Sequence, residues 1–353
     1  MAEVKPFRAV RYGDRAGPLE TLVAPPYDVI SPAAREQLAA RNEHNVVHLT
    51  LPDDEAAAGA TWRAWREDGT LVDEPEAGCW WLSQEYVGPD GVARTRDGLV
   101  AALTAEPYER RIVLPHERTH RGPKEGRLRL LREVQAQLEP LFFLYEGEPP
   151  AGRPERPADV EVEGARLWRL PSAGIAAAFA GRQLLIADGH HRYETTLAYG
   201  EHAQVLAVLV SLDDPGLMIF PTHRVFAREP AERLPAEERL PDAEAARAAL
   251  ARVPSDRAAA LLYRDGGFDL SVDGNELDVQ LVDRLGHEGI SYTPDWDEAV
   301  RAVDDGRAEV AVLMRPTRIE DVFAVAQRGE TMPQKSTYFY PKLVSGLLFL
   351  PLA

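Results

Sequence analysis

One segment limits the fold more than any other. Residues 184–187, Leu-Leu-Ile-Ala, form an apolar run of strand length, followed at once by Asp188-Gly189. Then comes a helical stretch from His190 to Tyr199, stopped by Gly200, and a second apolar run at 205–212. A strand that turns directly into a helix and returns as a strand is the building unit of α/β folds, because the helix must bury its apolar stripe on the sheet.

The remaining chain predicts a mixed α+β protein. Pro25-Pro26 removes two backbone donors and holds 23–30 extended. Ser31-Pro32 reads as an N-cap and first helical residue, opening a helix through Arg41. The alternation over 45–51 predicts a strand, 55–68 a helix ended by Gly69, and 80–87 with 95–103 a hairpin across Pro89-Asp90-Gly91. A polar loop at 114–125 runs into a helix with the apolar face Leu128, Leu131, Val134 and Leu138. A short strand at 141–145 and a Pro- and Gly-rich surface loop at 147–159 follow. The prolines at 230, 235 and 241 mark 227–241 as a linker. Beyond it, helices at 242–253, 277–285, 296–303 and 319–327 alternate with strands at 259–263, 268–272 and 309–313. The length of 353 residues suits two domains, expected here as 1–226 and 242–353, the second contributing its tail to the site.

The formal charge of −17 argues against a DNA partner, which would need a basic face to displace counterions. It leaves room for a small anionic substrate in a local cationic pocket. The lone Cys79 excludes an internal disulfide and a thiolate metal cage. The first residues lack the apolar core of a signal segment, and no run approaches the ~20 apolar residues of a spanning helix. A cytoplasmic location with no membrane partner is expected.

Five segments gather chemistry. At Asp188-Gly189-His190-His191-Arg192 a strand becomes a helix, where backbone N–H groups lack intrahelical partners and the dipole is positive. Gly189 permits close approach, and His190, His191 and Arg192 add donors, so the segment is a candidate anion site. Read blandly, Asp188 only caps the helix. His116-Glu117-Arg118-Thr119-His120 fits the zinc-hydrolase pattern, but Pro115 and Gly122-Pro123 leave little room for the helix it requires. It reads better as a loop carrying His116, Glu117, Arg118 and Lys124, or as a solvated charged loop. Tyr27-Asp28 stands on a stiff platform suited to a catalytic carboxylate, or supplies a helix-start charge. Gln334, Lys335, Ser336, Thr337, Tyr338 and Lys342 offer cations and hydroxyls, or form a polar edge strand. His223-Arg224 is a further candidate. The tryptophans at 62, 65, 80 and 81 read as core, and Arg264-Asp265-Gly266-Gly267 as a hairpin tip.

Several of these segments together resemble the domain-of-unknown-function 1015 family. They are Ala24-Pro25-Pro26-Tyr27-Asp28, Leu114-Pro115-His116-Glu117-Arg118-Thr119, Ala187-Asp188-Gly189-His190-His191-Arg192-Tyr193, Pro221-Thr222-His223-Arg224 and 332–342, Met-Pro-Gln-Lys-Ser-Thr-Tyr-Phe-Tyr-Pro-Lys. The Asp188–Arg192 element also resembles the phosphate-binding motif of the ParB/sulfiredoxin-like superfamily, which includes nucleotide binders and free-serine kinases. The resemblance implies a ParB/sulfiredoxin-like core over 1–226 and phosphoryl transfer to a small hydroxyl compound such as free serine. Pyrophosphate, ATP or ADP would be the donor, with Mg²⁺. On this reading Asp188, Gly189, His190, His191, Arg192, Arg118, Lys124, Lys335, Ser336 and Thr337 hold the donor. Asp28, Glu117 and His116 are the catalytic candidates, and Tyr27, His223, Arg224 and Tyr338 face the acceptor. The sequence departs from the family pattern at Gln137-Leu138-Glu139-Pro140. A ParB-like regulator that binds nucleotide without turnover, and a zinc hydrolase built on His116, Glu117 and His120, are the alternatives. The phosphotransferase reading places Asp28, His116, Glu117 and the Asp188–Arg192 turn around one pocket.

Overall fold

The computed structural model describes residues 1–88, 90–117 and 122–352, with the side chains of 122–124 set aside. The chain divides into two compact units. The first takes the described residues within 1–115, 119–217 and 341–353, and the second those within 116–118 and 218–340. Both are mixed α/β, as the alternation of periods in the sequence requires.

A nine-stranded sheet organises the first unit. Its order is Val113–Leu114, Leu184–Asp188, Leu141–Tyr145, Gln204–Ser211, Ala93–Thr104, Cys79–Val87, Ala165–Leu170 and Val160–Val162, with Val4–Lys5 pairing onto Ala93–Thr104 off this path. The expected hairpin forms in antiparallel register from Trp80↔Val100 to Val87↔Ala93. Leu141–Tyr145 and Gln204–Ser211 run parallel, which the helix crossover His190–Tyr199 permits. One core cluster lies on this sheet and includes Trp81, Phe143, Ile186 and Tyr193. A second cluster joins Trp62 and Trp65 of helix Glu55–Glu67, Leu130 and Val134 of helix Gly122–Val134, and Phe349.

Two expectations change in this unit. Residues 45–51 are not a strand: Val47–Thr50 is a helical turn. Asn45 decides it, because its Oδ1 accepts the Val47 N–H at 3.0 Å while its Nδ2 donates to the Thr21 and Val23 carbonyls. A polar side chain that bonds to nearby backbone outweighs the β-branched composition. The helix expected to reach Leu138 stops at Val134. Gln135 takes a left-handed φ of 54°, so Leu138 is buried from beyond the helix end.

The second unit is built on a six-stranded antiparallel sheet ordered Glu238–Leu240, Gly267–Asp273, Ala258–Arg264, Val310–Leu313, His223–Phe226 and Ile290–Thr293. Helices Ala243–Arg252 and Trp296–Asp304 cover one face, with Ala246, Leu250, Leu261 and Leu313 in the core between. The hairpin tip forms at Asp265-Gly266, both at positive φ, as a two-residue turn demands. Residues 227–241, read as a linker, lie within this unit and supply its edge strand Glu238–Leu240. Residues 341–352 belong with the first unit rather than continuing the second. Among the described residues no helix is long and apolar enough to cross a membrane.

Candidate functional site

The Asp188–Arg192 turn is assembled from within the first unit. Strand Leu184–Asp188 ends, Gly189 adopts φ 100°, and helix His190–Tyr199 begins. Gly189 is the N-cap residue and makes no side-chain cap, so the helix start is left to its backbone and to charge. The glycine is required twice. Its φ is left-handed, and a Cβ would stand 2.9 Å from Leu141 Cγ and 3.2 Å from Arg192 Nη2. Gly189→Ala is therefore expected to lower unfolding free energy by about 1–3 kcal/mol, measured by urea titration.

Below the turn the helix is pinned. Tyr193 is fully buried, donates its hydroxyl to the Glu106 carbonyl at 2.9 Å and accepts the Glu106 N–H at 2.8 Å. Gln137 Nε2 donates to Thr196 Oγ1 at 2.9 Å and to the Gln204 carbonyl at 2.8 Å.

Asp188 does not act as a cap. Its Oδ2 accepts from Arg192 Nη2 at 2.9 Å, and its Oδ1 accepts from Lys342 Nζ. Burial alone would raise its pKa, but the charges of Lys342 and Arg192 outweigh this and hold it well below the usual carboxylate range. Arg192 also donates Nη1 to the Pro140 carbonyl at 2.6 Å. Burial opposes its charge, yet Glu139 and Asp188 hold its pKa up. Two of its five donors are thus committed to the protein. His190 is buried and His191 half-buried at the same helix start.

Sequence reasoning names Lys342 among the cations of the C-terminal segment, but it gives Glu139 and Arg127 no place in this neighbourhood. Glu139 is buried; its Oε1 accepts the Tyr27 N–H at 2.9 Å, and its Oε2 lies 3.9 Å from Arg127 Nη1. The Arg127 guanidinium stacks 3.4 Å from the Tyr27 ring centroid. Burial raises the Tyr27 pKa against the opposing effect of Arg127. A cavity of about 40 Å³ lies here, lined by Arg127, Gln137, Glu139, Arg192 and Thr195 among others. Asp28 is exposed in the short turn Tyr27–Val29. The cap of the following helix Pro32–Arg41 is Ser31, whose Oγ accepts the Ala34 N–H, so Asp28 is not spent on it. The signal for Lys342 was in the sequence, since it is the last cation before an apolar tail. Glu139 was hidden by its place between Leu138 and Pro140.

The other expected residues fall in the second unit. His116 is fully buried, and its Nε2 lies 2.9 Å from Thr337 Oγ1. Its carbonyl accepts the Met332 N–H at 2.7 Å, and Glu117 bridges Met332. Ser336 is buried, donates its Oγ to the Pro333 carbonyl and accepts Thr317 Oγ1 on its own carbonyl. Lys335 is exposed at a left-handed φ of 58°. Tyr338 lies on the strand Tyr338–Tyr340, paired with Met218–Phe220. Loop 116–117 and segment 332–338 therefore come together within the second unit. Arg118, Thr119 and His120 lie outside the described residues, as does the side chain of Lys124.

His223 and Arg224 separate onto opposite faces of their strand. His223 accepts the Met314 N–H on Nδ1 at 3.2 Å and packs edge-on to Trp296. Burial pushes its pKa down to about 4. The folded imidazole is neutral, while the unfolded one protonates near 6.5, so the unfolded chain binds the proton first as pH falls. Stability is expected to drop by about 3 kcal/mol across this window. His223→Gln, which keeps an acceptor without the charge, should flatten that slope in urea titrations at stepped pH.

A mixed α/β chain with an uncapped glycine turn between strand and helix, and cations held around it, is the class that fold and site define. Residues 4–287 match the family described as protein of unknown function (DUF1015), and the chain belongs to that family. No curated protein matches it. Among solved structures it is similar to a free serine kinase in complex with AMP, at 17% identity, TM-score 0.41, over 68% of this chain and 85% of that one. A conserved hypothetical protein from Pyrococcus furiosus matches at 15% identity, TM-score 0.38, over 68% and 88%. SbnI from Staphylococcus aureus, truncated at its C-terminus, matches at 14% identity, TM-score 0.39, over 68% and 84%.

Proposed function

We propose that this protein is a small-molecule phosphotransferase whose donor phosphates lie against the start of helix His190–Tyr199. The observation that carries the reading is the Gly189 turn. It has no side-chain cap, and the Lys342 and Arg192 cations are held beside it by Asp188. Backbone donors and fixed cations at one point are what a transferring phosphoryl group requires, since catalysis of this transfer is mainly positioning and charge stabilisation. Arg192 contributes charge and shape, being tied to Pro140 and Asp188. Asp28 is the proposed base for the acceptor hydroxyl. Family resemblance at the motif level favours free serine or a similar hydroxyl compound as acceptor, and pyrophosphate, ATP or ADP as donor.

Mg²⁺ does not fit the turn itself. Both Asp188 oxygens already accept from cations, whose charges repel a divalent ion, and residues 188–192 hold no second carboxylate. No step is assigned to it.

The test is a panel of amino acids and other small alcohols against pyrophosphate, ATP and ADP, read by phosphorus NMR. A new phosphomonoester signal with one pair supports the reading. Nucleotide binding without any product from the panel would instead support a binding protein.

A further inference from the structure

The second unit buries a guanidinium that the protein itself does not satisfy. Arg224 has no exposed surface, and its Nε and Nη1 have no hydrogen-bond partner among the described residues. Its Nη2 reaches only the Val279 carbonyl, at 3.5 Å. The nearest carboxylate, Asp283, forms an ion pair with Nη1 at 3.6 Å, beyond hydrogen-bond length, and its Oδ1 has no hydrogen-bond partner among the described residues either. Thr222, two residues earlier and also buried, has an Oγ1 with no partner among the described residues. Tyr292 flanks Arg224 on one neighbouring strand and Val312 on the other. Buried arginines are ordinarily paired on several donors, because each unmade bond forfeits the hydration it had in the unfolded chain. Burial depresses the Arg224 pKa, only partly opposed by Asp283.

We propose that Arg224, with the Thr222 hydroxyl, forms an oxyanion subsite in the second unit that takes a carboxylate or phosphate group of a small molecule. Such a ligand supplies the acceptors that Nε, Nη1 and Oγ1 lack, and its charge offsets a cation that Asp283 reaches only loosely. His223, the neighbour on the opposite face, takes no part, since its ring is spent on Met314 and Trp296. The proposal stands apart from the Asp188–Arg192 turn, which draws its residues from the first unit.

The experiment uses the full chain as parent, Arg224→Met and Thr222→Val. Each is titrated calorimetrically with glycolate, as a carboxylate probe, and with inorganic phosphate, and each is melted with and without the probes. The parent is expected to bind one probe. Arg224→Met should lose that binding, and Thr222→Val should weaken it by about tenfold. Glycolate binding lost in Arg224→Met assigns a carboxylate, and a phosphate site lost in Arg224→Met, beside any that it keeps at the Asp188–Arg192 turn, assigns a phosphate. Without probe, Arg224→Met should melt at or above the parent, because an unsatisfied buried charge has been replaced by an apolar chain of similar length. Unchanged binding in Arg224→Met, binding of neither probe by the parent, or a melting temperature well below the parent would each overturn the proposal. If Arg224→Met fails to fold, unchanged affinity in Thr222→Val has the same force. Phosphate bound at the Asp188–Arg192 turn persists in Arg224→Met, so the two readings fail separately.

Discussion

Asp28→Asn is expected to cut turnover by about 10²–10⁴ while leaving donor affinity nearly unchanged. The carboxylate is exposed, on a turn whose geometry is set by its neighbours rather than by itself. Pro26 precedes it, Ser31 caps the next helix, and the adjoining Tyr27 is held by Glu139 through its N–H and by Arg127 on its ring. An isosteric change at Asp28 therefore removes a proton acceptor without releasing the loop. Calorimetry of donor binding beside steady-state rates separates the two effects. Full activity in the variant would rule Asp28 out as the base. Loss of donor binding would mean that Asp28 belongs to the donor pocket instead.

The second large effect is on stability. Asp188→Ala should lower unfolding free energy by about 3–5 kcal/mol, because two largely buried cations, Arg192 and Lys342, lose the carboxylate between them. That is a sizeable part of the about 5–15 kcal/mol that keeps a typical domain folded. Denaturant titration checks it, and a change within about 0.5 kcal/mol, the range of an ordinary surface substitution, would remove Asp188 from its role. The same pairing has a pH signature. Burial pushes the Asp188 pKa up, Lys342 and Arg192 push it further down, and the folded value lies below the unfolded one. Its contribution is thus present above the unfolded pKa near 4 and lost as pH falls through the folded value. Asp188→Asn should show a shallower acid limb than the parent.

What was legible in the sequence was local. The turn at Asp188-Gly189 could be read because strand, glycine and helix each leave their own signature within a few residues. The helix cap at Ser31 was visible for the same reason, and it accepts the N–H three residues on. Errors came where a distant partner decides. Residues 45–51 carry strand-like composition, but Asn45 is recruited by carbonyls of Thr21 and Val23. Strand Glu238–Leu240 is too short and charged to register by period, and exists through its pairing with Phe268, Asp269 and Leu270. Arg96 is a comparable case. It sits in an apolar hairpin strand, fully buried, donating to Gln84 Oε1 and to the Pro341 carbonyl, a partner far along the chain. Of the candidate site, the turn was readable as a motif, and segments 114–119 and 332–342 were readable one by one but not as neighbours. The pairing of Glu139 with Arg127 and Tyr27 was not, because each acts through residues distant in sequence.

The return of residues 341–352 to the first unit fixes an order of events during synthesis. Phe349 fills the core between Trp62 and Tyr12, its backbone pairs with Val10, and Ser345 pairs with Ala24. None of these contacts can form until the whole of the second unit has been translated. Domains tend to fold as they emerge, amino end first, but here the unit that starts the chain is the one that finishes last. A nascent chain stalled after residue 340 would carry a second unit with all its strands. Its first unit would still have an unfilled core and a strand Leu184–Asp188 whose aspartate lacks the Lys342 ammonium. Lys342 thus reaches the turn only after the second unit has been made, and the site is assembled only when the tail has packed into the first unit's core.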